Sequence, residues 1–191
     1  MNFSELISRC RSYRRFDESF RIENDFLRIL IGYARLSASA ANRQPLKFLI
    51  YNSQAECEKI FPCTAWAGYL PEWPGPDPGE RPAAYIMILG DTSITGSFGI
   101  DPGIAAQSIM LGAVEAGLGG CMIASIKKEQ LRKVLKIPVQ YDILLLLALG
   151  KPVEKVVIED IKDDNVKYWR DEEKVHHVPK RTLDELILKL Q

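Results

Sequence analysis

The sequence has little histidine, no paired cysteine motif, no excess of charge and no long apolar run. Each shortage removes a class of function. Its two histidines, His176 and His177, stand side by side. Neighbours in sequence rarely aim at one metal ion, and no third ligand pattern lies near them, so no metal centre is expected. Cys10, Cys57, Cys63 and Cys121 are scattered without CxxC spacing, which removes zinc knuckles and cluster sites. Four free thiols suit a reducing cytoplasm. Lys and Arg total 25 against 25 Asp and Glu, a formal charge of zero. Non-specific nucleic-acid binding relies on excess positive charge and is not expected. The longest aliphatic run, Ile143 to Leu149, falls far short of the roughly 20 residues that span a bilayer. The N-terminus, MNFSELISRCRSYRR, lacks the apolar stretch of a secretory signal.

Several motifs are missing too. There is no GxxxxGK[ST] loop, no GxSxG and no cysteine–histidine signature. Gly117-Leu118-Gly119-Gly120 follows a helical pattern rather than a strand, the wrong context for a dinucleotide fingerprint. Hydrolase chemistry and a doubly wound dinucleotide fold therefore have little support.

What is present fits one domain over residues 1–191, with 47% apolar and 26% charged residues. Phe3, Leu6, Ile7 and Cys10 predict a short amphipathic helix near 2–10, and Phe26, Leu27, Leu30, Ile31 and Ala34 a second over 25–36. Small residues from Ser37 to Pro45 form a loop open to close approach. Residues 48–51 and 85–89 read as strands, the second buried on both faces. Asp101-Pro102 opens the clearest helix, with Asp101 as candidate N-cap and Gly117 as its stop. A strand is expected at 121–124, a solvated helix at 127–135 and a central strand at 143–149. Thr182 and Glu185 make a capping box before Leu186, Ile187 and Leu190. Prolines 62, 71, 74, 76, 78 and 82 exclude a long regular element over 62–82. Trp66, Tyr69 and Trp73 there either form a lid, setting Trp66 and Tyr69 against a substrate, or pin the loop to the core. The charged span 152–178 lacks a dense core pattern and suits wrapping around a partner subunit. Mixed helices and strands with few βαβ repeats indicate an α+β layer sandwich.

The strongest chemical signal is Arg11-Ser12-Tyr13-Arg14-Arg15-Phe16, read with Lys180-Arg181 near the other end. Guanidinium forks and a hydroxyl are what a phosphate or an anionic ring edge needs. The bland alternative is a solvated basic turn paired with Asp17, Glu18 and Glu23.

These segments, taken in order, resemble the nitroreductase family of flavin enzymes. Arg11 to Phe16 resembles its RRSxRxF segment, and Ser37 to Pro45 its SPSxxNxQPW segment. Ala113 to Ile123 resembles its small-residue helix, GLG turn and strand, and Leu147 to Pro152 its ALGxP strand end. Lys180-Arg181 stands before the last helix, as in the family. The resemblance implies a three-layer sandwich with a central mixed, mainly antiparallel sheet, and an intertwined homodimer holding two FMN molecules. It implies an FMN-dependent oxidoreductase that takes hydride from NADH or NADPH. By a ping-pong cycle it would reduce a small flat acceptor, nitroaromatic or quinone-like. Reductive dehalogenation, flavin fragmentation or a non-enzymatic flavin-binding role are the alternatives it leaves. By position, Arg11, Ser12 and Arg14, with Tyr13 and Arg15 beside them, would hold the FMN phosphate, ribityl or pyrimidine side, and Lys180 and Arg181 would complete the phosphate clamp. Ala38, Ser39, Ala40, Asn42 and Gln44 would come from the other subunit. Met122, Ile123, Ala124 and Ser125 would lie near the dimethylbenzene edge and the reactive N5. No residue is implied as catalytic, because the flavin carries the chemistry. Three positions depart from the pattern. Cys10 replaces an arginine, which points to Arg9 or Arg15 as the compensating cation; Leu46 replaces a tryptophan; and Ala124-Ser125 replaces a glycine or Glu-Gly near N5.

Overall fold

Two apolar runs build the centre. Ala84–Asp91 (β2) is buried at every position, and Tyr141–Gly150 (β4) is buried through its second half. Such continuous apolar strands fit a sheet covered on both faces. They pair antiparallel, Ile86 opposite Leu147 and Tyr85 opposite Ala148. Leu46–Tyr51 (β1) and Gly119–Ile123 (β3) flank them, both antiparallel, in the order β1-β2-β4-β3. The computed structural model describes residues 1–188. Leu190, expected on the last helix, lies outside them.

Alternation along the strands divides the core into two. Ala84, Ile86, Ile88, Leu147 and Leu149 face Asn24–Leu36 (α2) and Asp101–Glu115 (α4). Tyr85, Met87, Leu89, Leu146 and Ala148 face Gln54–Ile60 (α3), Lys128–Leu135 (α5) and the proline-rich loop. The result is the expected three-layer α+β sandwich. Phe3–Arg9 (α1) packs beside α4. Helix α3 was not anticipated, although Ser53 and Glu56 form a capping box and Cys57 and Ile60 turn inward. Helix α4 ends as expected, with Gly117 at φ +78° and the Leu118 amide donating to the Ala113 carbonyl at 2.9 Å. Its start differs: Ile100 is the cap position and Asp101 is the first helical residue.

The span 152–178 is more regular than its composition predicts. It supplies Val156–Asp160 (β5), Trp169–Arg170 (β6) and the start of His176–Lys180 (β7), a second sheet in the order β5-β7-β6. Strands this short, separated by the charged stretch from Glu159 to Lys174, carry little period-two signal. Thr182 caps Leu183–Leu186 (α6) as expected, with Glu185 completing the box.

The arginine segment is held between the two sheets. Ser12 bridges Gly120 and Phe16 bridges Pro152, while the Tyr13 amide donates to the Gly120 carbonyl at 2.9 Å. Phe16 is fully buried. Gly119 permits this approach, since a Cβ there would meet the Tyr13 ring, and Gly120 permits the β3–β4 pairing beneath it, where a Cβ would meet the Ala148 carbonyl oxygen. Gly120→Ala must move backbone on β4, so it should cost about 1–3 kcal/mol, measured by chemical denaturation. Wild-type stability in this variant would show that the contact is not constraining.

Candidate functional site

The segment from Cys10 to Phe16 is irregular, with isolated bridges at Ser12 and Phe16 and a turn in which the Tyr13 amide donates to the Arg11 carbonyl at 3.0 Å. Phe16 and Arg14 go inward, and Arg11 and Ser12 reach a cavity of about 340 Å³ between α4, β3 and the second sheet. Gln107 of α4, Met122 of β3, and His176 and Lys180 of β7 line the same cavity. Three of its lining residues are cations (Arg11, Arg14, Lys180), and none is a carboxylate. An adjoining cavity of about 180 Å³ is lined by Arg14, by Ala65 to Gly68 with the buried Trp66, and by Met122, Ile123, Ala124 and Ser125. Arg14 and Met122 line both.

Arg14 is buried, 9% exposed, yet its guanidinium meets no carboxylate at ion-pair distance among the described residues. Its Nη1 donates to the Ser12 carbonyl at 3.2 Å and lies 3.1 Å from His176 Nε2. The guanidinium also stands over the Tyr168 ring, 4.9 Å from its centroid. The nearby carboxylate has other work. Glu154, with its side chain fully buried, accepts from the Arg14 backbone amide and pairs with Arg170 Nη2 at 3.1 Å. Arg170 in turn stacks on Trp73 at 4.0 Å. Glu154 therefore fixes the Arg14 backbone while Arg170 balances its charge. A buried cation without a counter-charge is costly, so the site is poised for an anionic ligand.

His176 and His177 face opposite ways, as strand neighbours must. His176 is 1% exposed, and its ring sits 5.1 Å from Tyr168. Arginine is only a donor, so Nε2 accepts and the proton belongs on Nδ1, which has no partner among the described residues. Burial pushes the His176 pKa down to about 4, helped by Arg14 and Arg170. His177 bonds Asp171 and Glu159, each at 3.1 Å, and stacks on Trp169 at 4.0 Å. The bond to Asp171 raises its pKa, ahead of the opposing effect of burial.

Not every expected site residue converges. Arg15 forms a bidentate pair with Glu80 at 2.6 and 2.5 Å. Arg181 pairs with Asp164 at 2.5 Å and Glu185 at 3.3 Å. Tyr13 packs on Gly119 and donates its hydroxyl to the Arg9 carbonyl at 3.2 Å. None of these three lines either cavity, and neither Arg15 nor Arg9 compensates for Cys10 there. Tyr69 is exposed and packs on Tyr168 with ring centroids 5.0 Å apart. With Trp66 in the core and Trp73 under Arg170, the proline-rich loop is pinned, while its Ala65–Gly68 turn walls the smaller cavity.

The small-residue loop lies elsewhere. Asp101 accepts from Ser39 Oγ at 2.6 Å and from the Ala40 amide at 3.0 Å, which is why it does not cap its own helix. Gln44 donates to Asn42 Oδ1 at 3.1 Å, and Ala41, Asn42 and Gln44 all have φ near +50°. Ala38, Ser39 and Gln44 line a third, apolar cavity of about 310 Å³ with Leu46 and Phe48. Ala40 and Asn42 are exposed beside it. Sequence reasoning missed His176, Glu154, Gln107 and Tyr168. Strand alternation at His176-His177 was the available signal, since it turns one histidine inward.

Residues 96–151 match the family model described as Nitroreductase family. The chain is similar to a nitroreductase family protein from Streptococcus pneumoniae, 17% identical over 99% of this chain and 100% of that one, with a TM-score of 0.71. It is similar to an FMN-dependent nitroreductase from Clostridium difficile, 21% identical over 83% and 91%, TM-score 0.65. A structure from Exiguobacterium sibiricum solved in complex with FMN is 20% identical over 80% and 89%, TM-score 0.65. These likenesses show the fold.

The two histidines should titrate in opposite directions. An unfolded histidine protonates near 6.5, but His176 in the fold stays neutral to about 4. Between those values only the unfolded chain takes up the proton, so stability falls with pH across that window by on the order of 3 kcal/mol. The contribution of His177 is present below the ordinary histidine range and lost as pH rises through its raised value. Imidazole NMR should show one ring titrating near 4 and the other above the usual value; two rings titrating together near 6.5 would contradict the assignment.

Proposed function

We propose that this chain, a nitroreductase-family protein by its fold and by the family match over residues 96–151, is an FMN-dependent oxidoreductase drawing hydride from NADH or NADPH. One observation carries the reading: cations from both ends of the chain converge on a single cavity that has no carboxylate in its lining. The donor set fits the cofactor. The FMN phosphate is a dianion and favours charge-assisted donors. Arg11, Ser12 and Lys180 offer them, and Arg11 Nε is buried with no partner among the described residues. The flavin ring would lie toward Arg14 and the smaller cavity, with Met122 to Ser125 along its edge.

Held there by Arg11, Ser12 and Lys180, FMN would supply the two-electron redox chemistry. The chain's own residues orient and exclude. Arg14 keeps a full positive charge where both cavities meet. Met122 and Ile123 wall the ring site, and exposed Ala124 and Ser125 leave its edge open to a small flat acceptor. Trp66, held against Gly75, fixes the turn that closes the opposite side. No general acid or nucleophile is required of the protein, which accords with the absence of hydrolase motifs.

Ala38, Ser39, Ala40, Asn42 and Gln44 lie apart from the two cavities within one chain. Their part in the site is assigned to a second copy in a homodimer, which brings this loop to the partner's flavin. Four free thiols and no helix long and apolar enough to cross a membrane, among the described residues, agree with a cytoplasmic enzyme.

The test compares FMN with riboflavin, which lacks the phosphate. Wild-type protein should bind FMN and bleach its visible absorption when NADH or NADPH is added without oxygen. Arg11→Ala with Lys180→Ala removes two charge-assisted contacts and should weaken FMN binding about a hundredfold or more. Riboflavin affinity should move by no more than ~threefold. Protein that stays colourless with excess FMN would defeat the proposal, and bound FMN that neither nucleotide reduces would leave flavin binding without the enzyme.

A further inference from the structure

Arg14 is the cation common to both cavities, and the groups around it leave its charge intact. Its hydrogen-bond partners are neutral acceptors, the Ser12 carbonyl and His176 Nε2. Tyr168 adds only a ring face. Glu154 is turned to the Arg14 backbone amide and to Arg170. Asp171 and Glu159 lie on the far side of β7, bonded to His177. A carboxylate at position 176 would sit at ion-pair distance from Arg14 and cancel its charge in a buried setting, where that interaction is strong. Imidazole gives direction to the guanidinium and does not neutralise it.

We infer that His176 is a positioning residue that holds Arg14 as an unneutralised cation facing the flavin ring, and so sets how strongly the site favours the reduced, more negative form of FMN. This rests on the reading of the two cavities as the FMN site. Three features support it. The histidine is 1% exposed and lies against Arg14 and the Tyr168 ring, so its ring has little freedom. Its backbone is fixed as well, its amide donating to the Lys155 carbonyl at 2.8 Å. Burial first, and the Arg14 and Arg170 guanidinium groups after it, keep the ring neutral, the state that can accept from Arg14. A positive charge near the ring stabilises the charge gained on reduction and raises the potential.

The experiment compares wild type, His176→Glu and His176→Gln, each loaded with FMN, by dissociation constants for oxidised and reduced cofactor and by potentiometric titration. Glutamate should lower the preference for reduced over oxidised FMN at least tenfold, about 30 mV or more toward negative potential for two electrons. Glutamine, a neutral acceptor, should stay within ~threefold of wild type. A glutamate variant that binds FMN with wild-type potential would overturn the inference, as would a glutamine variant that shifts as far as glutamate. Wild type that binds no FMN would defeat the underlying reading instead. Should His176→Glu not fold, nitrogen-15 NMR of the wild-type ring decides: a proton on Nδ1 with Nε2 bare is expected, and a proton on Nε2 would overturn it.

Discussion

A guanidinium buried without a carboxylate partner is the constraint around which this molecule is arranged. Taking Arg14 out of water is costly. The fold holds it there with one carbonyl, one imidazole nitrogen and one aromatic face. Each of these comes with a condition. The Ser12 carbonyl is set by the bridge to Gly120, a position of β3 where a Cβ would meet the Ala148 carbonyl oxygen of β4. The imidazole requires the second sheet. Tyr168 requires the loop from which Tyr69 packs back onto it. The strand edge, the second sheet and the proline-rich loop are therefore coupled through one side chain. A bound anionic ring or phosphate would remove the imbalance that the apoprotein carries.

Charge sorting around that point explains which cations are available to a ligand. Arg15 and Arg181 are tied to Glu80, Asp164 and Glu185, and Arg170 to Glu154. Arg11, Arg14 and Lys180 have no carboxylate beside them in the cavity. The zero net charge of the chain conceals this asymmetry. A composition that excludes a nucleic-acid surface is compatible with a strongly positive pocket, because the compensating carboxylates are assigned to neighbouring arginines.

Much of the scaffold was legible because its signals were local. The apolar runs at 85–89 and 143–149 had no other use than central strands. Gly117 ended its helix, and Thr182-Glu185 capped the last one. The arginine segment and Lys180-Arg181 were read as one group from opposite ends of the chain, and Arg11, Ser12, Arg14 and Lys180 of it line one cavity. What stayed hidden depended on contacts distant in sequence. Arg15 looks like Arg14 in sequence, and only Glu80, brought in by the proline-rich loop, separates their roles. Asp101 has the pattern of an N-cap, yet Ser39 and Ala40 claim its carboxylate. The strands of the second sheet are too short and too charged to show a period. His176 was weighed as a metal ligand when its neighbourhood of guanidinium groups gives it another task.

The most direct measurement is a crystal structure of the protein grown with FMN. The phosphate is expected against Arg11, Ser12 and Lys180, the ring beside Arg14 and Met122, and the Arg14–His176 hydrogen bond retained. FMN bound away from this cavity, or Arg14 swung onto a carboxylate with the ring elsewhere, would contradict this arrangement.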